Sequence, residues 1–299
     1  MSPDFRRKDA LAPGQVEWIA PGIRRILCAN PGPFTWRGTN TYIIGRGDVA
    51  VLDPGPADPD HLAAIRQAVS DERITRILVS HTHRDHSPGA VPLAGVTGAE
   101  TLGFGPHVTP PEAGGEGGDH DFHPDRRLAD GEVVEGEGWR LTALHTPGHC
   151  ANHLCFALEA GTELAPPGIL FSADHVMAWS TSVVSPPDGD MADYMRSLAR
   201  IAARQDRLLL PGHGPAHDAP GPFIAALIAH RQEREARVLD MLRAAPGGMA
   251  TAAGLVPPVY GPALDPKLAP AAARSLLAHL LKLAAEGAAA REGEGFRAL

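Results

Sequence analysis

Three histidines and an aspartate fall within six residues in Leu78-Val79-Ser80-His81-Thr82-His83-Arg84-Asp85-His86-Ser87-Pro88-Gly89, directly after the branched run Ile74 to Val79. Strand side chains alternate with period two, so a strand that ends in His-Thr-His presents two imidazoles on one side of the chain. That arrangement suits chelation of one ion. The turn that follows sets Asp85 and His86 about a metal-metal distance further on, which suits a second ion. A chain built this way must carry its chemistry at strand ends, and the remaining sequence is read for further strands that finish in ligands.

The pattern recurs. Trp139 to Leu144 reads as a strand that runs into His145-Thr-Pro-Gly-His149, where proline and glycine force a sharp turn and expose a histidine. Gly168 to Ser172 is an apolar strand followed by Ala173-Asp174-His175, and Leu208 to Leu210 is followed by Pro211-Gly-His213-Gly214. Neutral imidazole and carboxylate are the ligands that borderline divalent ions prefer. The candidates are therefore His81, His83, Asp85, His86, His149, Asp174 and His213. Seven ligands are too many for one tetrahedral ion and fit two ions that share a bridge. His145, His153 and His175 flank this set and read as packing or orienting residues.

Other elements frame these loops. Gln15 to Ile26 reads as one or two edge strands, and Thr41 to Ile44 pairs with Val49 to Leu52 as a hairpin that Asp53-Pro-Gly-Pro56 ends. Asp58 before Pro59 is a helix N-cap, with Leu62, Ile65 and Val69 marking the inner face. Gly103 to Arg127, which contains His107, His120 and His123, shows no periodicity and reads as an exposed loop. Leu154 to Leu158 is a strand, and a helix is expected from about Asp193 to Arg204.

From Phe223 the grain changes. A long helix is broken at Ala245-Pro-Gly-Gly248. A short helix near Thr251 to Leu255 follows, then a third from about Leu268 to Glu286 with Gly287 as its C-cap, then a hairpin over Ala289 to Ala298. Helix, helix, helix, hairpin is the order of a winged helix. The chain thus reads as an α+β protein of two domains, 1–222 and 223–299.

The 299 residues carry a formal charge of −8, which argues against a general polyanion-binding surface. From Phe223 onward nine Lys/Arg meet seven Asp/Glu, so that part carries +2 and the first 222 residues carry −10. Three cysteines, Cys28, Cys150 and Cys155, give no disulfide framework and read as small buried thiols. The charged start, Met1 to Ala10, leads into no apolar core of signal-peptide length, and no run reaches membrane-spanning length. A cytoplasmic protein with no membrane partner is expected, with a homo-oligomer left open.

His-x-His-x-Asp-His, a later Gly-His, an Asp after an apolar strand and a final Gly-His-Gly together resemble the metallo-beta-lactamase superfamily, over roughly Gln15 to Pro222. The resemblance implies a four-layer αβ/βα sandwich with two metal ions at one edge. Carried over by position, His81, His83 and His149 would hold the first ion. Asp85, His86 and His213 would hold the second, and Asp174 would bridge them together with a hydroxide. Zinc is the default, with manganese or iron as alternatives. An aspartate bridge with no cysteine in the set is similar to the glyoxalase II and ribonuclease branches more than to true beta-lactamases.

Thr39-Asn40-Thr41-Tyr42, Asp53-Pro-Gly-Pro56, Ser185-Pro-Pro-Asp-Gly-Asp190, His230-Arg-x-x-Arg234 and the last fifty residues resemble the lactamase-beta-like protein 2 subfamily, whose members append a winged helix. An animal member of that subfamily cleaves single-stranded RNA. The resemblance implies a hydrolase in which the bridging hydroxide attacks phosphorus or a carbonyl, and Asp85 both holds metal and orients the nucleophile. Single-stranded RNA is the first substrate class expected, and an ester or thioester of the glyoxalase II type is the alternative. A winged-helix DNA-binding regulator is a distant third, and no double-stranded DNA partner is expected. Phe34, Trp36, Asn40, Trp179, Ser180 and Thr181 are the loop residues expected to meet substrate.

Overall fold

Runs such as Tyr42 to Ile44 and Leu154 to Leu158 are apolar at successive positions because their strands are covered on both faces. In the computed structural model, which describes residues 3–113, 117–158 and 168–299, this double burial builds a layered sandwich. One sheet runs β1 (Val16–Ala20), β2 (Ile23–Leu27), β3 (Asn40–Arg46), β4 (Asp48–Leu52), β5 (Arg73–Leu78), β6 (Glu100–Gly103) and β7 (Arg126–Arg127), in that order. Its first four strands are antiparallel and β4 to β7 are parallel. The second sheet contains β8 (Val133–Gly136), β9 (Trp139–His145), β10 (Leu154–Leu158), β11 (Ile169–Ala173) and β12 (Leu208–Pro211). Its spatial order is the reverse of chain order, and only β11 and β12 are parallel.

Alternation along single strands divides the core. Tyr42, Ile44, Leu52, Leu141, Leu154, Phe156 and Phe171 meet between the sheets, while Ile43, Val49 and Val51 face outward beneath α1 (Pro59–Ala68) and α2 (Ala90–Thr97). Cys155, Ala157 and Leu170 face the other way, beneath α3 (Met191–Ala202) and the start of α4 (Pro220–Ala244). The result is the expected four-layer arrangement of helix, sheet, sheet, helix. All three cysteines are free and buried, and burial pushes the Cys28 and Cys155 thiols up to about 12.

The carboxyl-terminal part forms the expected winged helix: α4 continues into α5 (Val256–Tyr260), α6 (Ala269–Ala285) and the hairpin β14 (Ala289–Glu292) to β15 (Gly295–Ala298). A third strand, β13 (Met249–Thr251), pairs with β15. The short helix expected near Thr251 to Leu255 therefore lies further on, at α5. Met249 to Thr251 complete the open edge of the hairpin, and the helix begins only where Pro257 and Pro258 fit its first turn.

One helix leaves no sequence signature and two boundaries shift. α2 shows no amphipathic stripe because Ala90-Val-Pro-Leu-Ala-Gly-Val-Thr97 is apolar on all sides and carries proline and glycine. α3 begins at Met191, capped by Asp190, whose carboxylate accepts from the Asp193 amide. The division expected at 222/223 falls inside α4, whose first half packs against the second sheet through Phe223, Ile224 and Leu227 and whose second half packs in the winged helix through Val238 and Leu242. Among the described residues, no helix is long and apolar enough to cross a membrane.

Leu276 is fully buried at the centre of the winged-helix core. Leu276→Ala should destabilise that core by about 2–5 kcal/mol, read as a lower midpoint in urea unfolding followed by circular dichroism.

Candidate metal centre

Parallel neighbours finish at the same edge of a sheet, and this edge collects the polar loops. β4 ends at Leu52 and β5 at Leu78, so Asp53 comes to lie beside Ser80. β11 and β12 end together, so Asp174 comes to lie beside Gly212 and His213. β9 delivers His149 through the Pro147-Gly148 turn, where Gly148 has a φ of 139° and a Cβ would stand 2.3 Å from Tyr194 Cα. A Cβ on Gly212 would stand 2.4 Å from Asp174 Oδ1. Both ligand turns therefore need glycine.

The seven candidate ligands converge in two groups: His81, His83 and His149, and Asp85, His86, Asp174 and His213. In the first, His83 Nδ1 lies 3.0 Å from His81 Nε2 and 2.9 Å from His149 Nε2. In the second, His213 Nε2 lies 3.2 Å from Asp85 Oδ2, 3.2 Å from Asp174 Oδ2 and 3.3 Å from His86 Nε2. Asp174 stands between the groups, with Oδ2 3.8 Å from His149 Nε2 and Oδ1 3.5 Å from His86 Nε2. Its Oδ1 is buried without a hydrogen-bond partner.

The outer nitrogens fix the tautomers. His149 Nδ1 donates to Val183 O at 2.6 Å, His213 Nδ1 to Gly38 O at 3.1 Å and His86 Nδ1 to Asp53 Oδ2 at 3.0 Å. Ser80 Oγ gives its proton to Asp53 Oδ2 at 2.7 Å and so accepts from His81 Nδ1 at 2.9 Å. Each of these four rings thus turns Nε2 toward the centre, the nitrogen left for a metal once any proton on it is displaced.

Electrostatics separates the groups. Burial, reinforced by His86 and His83, holds His81 well below its ordinary pKa, and burial with His149 pushes His83 down to about 3. These rings are neutral donors. Burial also works against charge on His213, yet Asp174 and Asp85 overcome it and hold its pKa up at about 9. His86 is likewise raised against burial by Asp85, Asp174 and Asp53. Two carboxylates here draw positive charge into a buried site, and a divalent cation satisfies the same field. The donor set therefore fits two ions, with three imidazoles on one side, a mixed set on the other and Asp174 between them.

Several residues read otherwise from the sequence complete the site. Asp53, expected only to end a strand, accepts from the Ser80 amide and hydroxyl and from His86. The Gly103 to Arg127 segment, expected as an exposed loop, folds over the site where it is described. His107 is buried with Nδ1 2.9 Å from Thr82 Oγ1, and buried Asp119 accepts from Ser87 Oγ at 2.6 Å. Asp188 lines the site with Oδ2 buried and 4.0 Å from His83 Nε2. His153 and His175, read from the sequence as packing or orienting residues, are fully buried beside the candidate ligands, and His153 Nδ1 pairs with Thr146.

A cavity of about 480 Å³ opens onto both groups, lined by Phe34, Pro56, Met177 and Val183 together with Arg84, Asp85, Asp174 and Asp188. Of the loop residues expected to meet substrate, Phe34 lines it. Trp36 and Trp179 stack on each other at 5.9 Å, and neither they nor Ser180 and Thr181 are among the lining residues. Asn40 is fully buried and donates to Pro211 O and Gly214 O, which holds the His213 turn rather than facing substrate.

Residues 34–213 match the family model described as Metallo-beta-lactamase superfamily, and residues 251–297 match that of the Beta-lactamase associated winged helix domain. The chain is 33% identical over 286 residues to the Beta-lactamase-like protein 2 homolog of Drosophila melanogaster, covering 93% of this chain and 92% of that protein. It is 31% identical over 285 residues to the Atrochrysone carboxyl ACP thioesterase of Passalora fulva, covering 91% and 78%. A solved Beta-lactamase domain protein from Burkholderia ambifaria aligns with a TM-score of 0.77 at 23% identity, over 99% of this chain and 98% of that one, a likeness of fold.

Asp53→Asn keeps the size of the side chain but removes an acceptor from Ser80 or His86. Metal affinity should fall about 10–100-fold, measured by competition against a chromophoric chelator; unchanged affinity would show that His81 and His86 need no carboxylate behind them.

Proposed function

The chain belongs to the metallo-beta-lactamase superfamily and carries the winged helix associated with it, and from that premise we propose that it is a two-ion hydrolase of an ester or thioester with an apolar acyl part. The observation that carries this reading is the cavity wall: Phe34, Pro56, Met177 and Val183 give an apolar groove that ends at Asp85 and Asp174. Small-molecule sites combine such walls with a few convergent polar groups.

His81, His83 and His149 would hold one ion and Asp85, His86 and His213 the other, with Asp174 shared; an imidazole-rich set favours zinc. Bound there, such ions supply Lewis acidity and an activated water at neutral pH. The chain's own residues do the rest. Asp85 faces the second group through Oδ2 and also lines the cavity, so its carboxylate accepts a hydrogen bond from the attacking water and orients it toward the carbonyl. Phe34, Met177 and Val183 seat the acyl part and keep bulk water away. Arg84, whose Nε donates to Gly118 O, supplies the one fixed positive charge of the described lining and suits an anionic end of the substrate.

A carrier-bound thioester is the first substrate to test, since relatives about 30% identical are named Atrochrysone carboxyl ACP thioesterases. RNA fits less well. A strand needs cations beyond the scissile phosphate, and the lining offers Arg84 beside three aspartates. DNA regulation by the winged helix fits least, because Lys282 of α6 is already paired with Glu235 and Glu286.

Metal analysis of the purified protein should give near two ions per chain, and a chelator should abolish hydrolysis; full activity in metal-free protein would rule the reading out. A panel of acyl thioesters, assayed in parallel with a single-stranded RNA oligonucleotide, should turn over while the RNA stays intact. Asp85→Ala should lower kcat on the best thioester by about 10²–10⁴-fold, and RNA cleavage lost in that variant would instead favour the nuclease.

A further inference from the structure

Arg231 lies in the middle of α4, where the helix passes from the hydrolase core to the winged-helix core. The two matched family regions end at 213 and resume at 251, so neither includes it. Its side chain is buried. The guanidinium carbon stands 5.2 Å from the centroid of the Tyr194 ring, Nη2 donates to the carbonyl of Ser182, and Nε has no hydrogen-bond partner. An apolar side chain of similar length would fill this space without the penalty of a buried, partly satisfied charge. The cation is held where its contacts have some other use.

Those contacts lead to the metal centre from two sides. Ser182 Oγ donates to His175 O at 2.9 Å, and Tyr194 OH donates to the same carbonyl at 3.1 Å. His175 directly follows Asp174. The next carbonyl after Ser182, that of Val183, accepts the 2.6 Å hydrogen bond from His149 Nδ1 that sets the ring of that ligand. One guanidinium therefore braces the turn that presents Asp174 and the segment that aims His149.

We propose that Arg231 is a positioning residue for the metal centre, and that through it α4 couples the winged-helix domain to His149 and Asp174. The proposal rests on the reading of those two residues as ligands. It divides the His230-Arg-x-x-Arg234 motif by role: Arg231 serves the site, whereas the Arg234 guanidinium stands 4.3 Å from the ring centroid of Tyr260 in the winged helix.

The test is a zinc titration of the full chain in competition with a chromophoric chelator, alongside thermal unfolding. Arg231→Met should weaken zinc binding about 10–100-fold, and Arg231→Lys, which restores a cation and a donor, should recover most of that loss. Arg234→Met should lower the melting temperature while zinc affinity stays within about twofold of wild type. Should Arg231→Met fail to fold, Arg231→Gln is read in its place with the same expectation. Zinc affinity unchanged in the Arg231 variant, or lowered equally in Arg234→Met, would overturn the proposal and leave the ligand assignment standing. A wild-type chain that binds no zinc would overturn both.

Discussion

The carboxylate of Asp53 is the constraint that the candidate metal centre depends on. It sits at the end of β4 with a left-handed φ of 52°, a conformation that costs energy in a non-glycine residue and persists only where the surroundings enforce it. Here β5 enforces it: the parallel pairing of the two strands brings the Ser80 amide 2.7 Å from Oδ1 and the Ser80 hydroxyl 2.7 Å from Oδ2. Through Ser80 and directly, this one group sets the rings of His81 and His86, one in each half of the site. A site made of strand ends is as rigid as the sandwich behind it, since the strands are packed on both faces.

The convergence of the candidate ligands was legible in the sequence wherever such a residue follows a strand directly. His81, His83, Asp85 and His86 share one turn, and His149, Asp174 and His213 each close an apolar run, so spacing and residue type sufficed. The supporting groups carried no such signal. Asp53 before Pro-Gly-Pro has the chemistry of a turn former, and nothing local distinguishes a carboxylate that starts a turn from one that accepts three hydrogen bonds from the loop after the next strand. His107 and Asp119 lie in an aperiodic segment, and their burial comes from partners, Thr82 and Ser87, about 25 and 32 positions away. Long-range pairing of that kind leaves no periodicity to read.

Individual strands and helices were legible because β-branched runs and amphipathic helices alternate with clear turn residues, whereas their layering was implied by the family resemblance. Their boundaries were less so. α2 is apolar all round and offers no stripe, and α4 is one continuous helix whose inner face changes partner halfway along without any break in its pattern. Sequence periodicity reports which face of a helix is buried and is silent about which core buries it.

That shared helix has a consequence for the order of events during synthesis. The last candidate ligand, His213, precedes Ala278, which packs on the outer face of the second sheet together with Phe223, Ile224 and Leu227, by 65 positions. At roughly 5–20 residues per second, translation takes about 3–13 s to cover that distance. For those seconds a nascent chain has made every candidate ligand while one apolar sheet face still lacks part of its cover. The cover of the second sheet is therefore completed only after α6 has been made, although α3 and the start of α4 are available earlier.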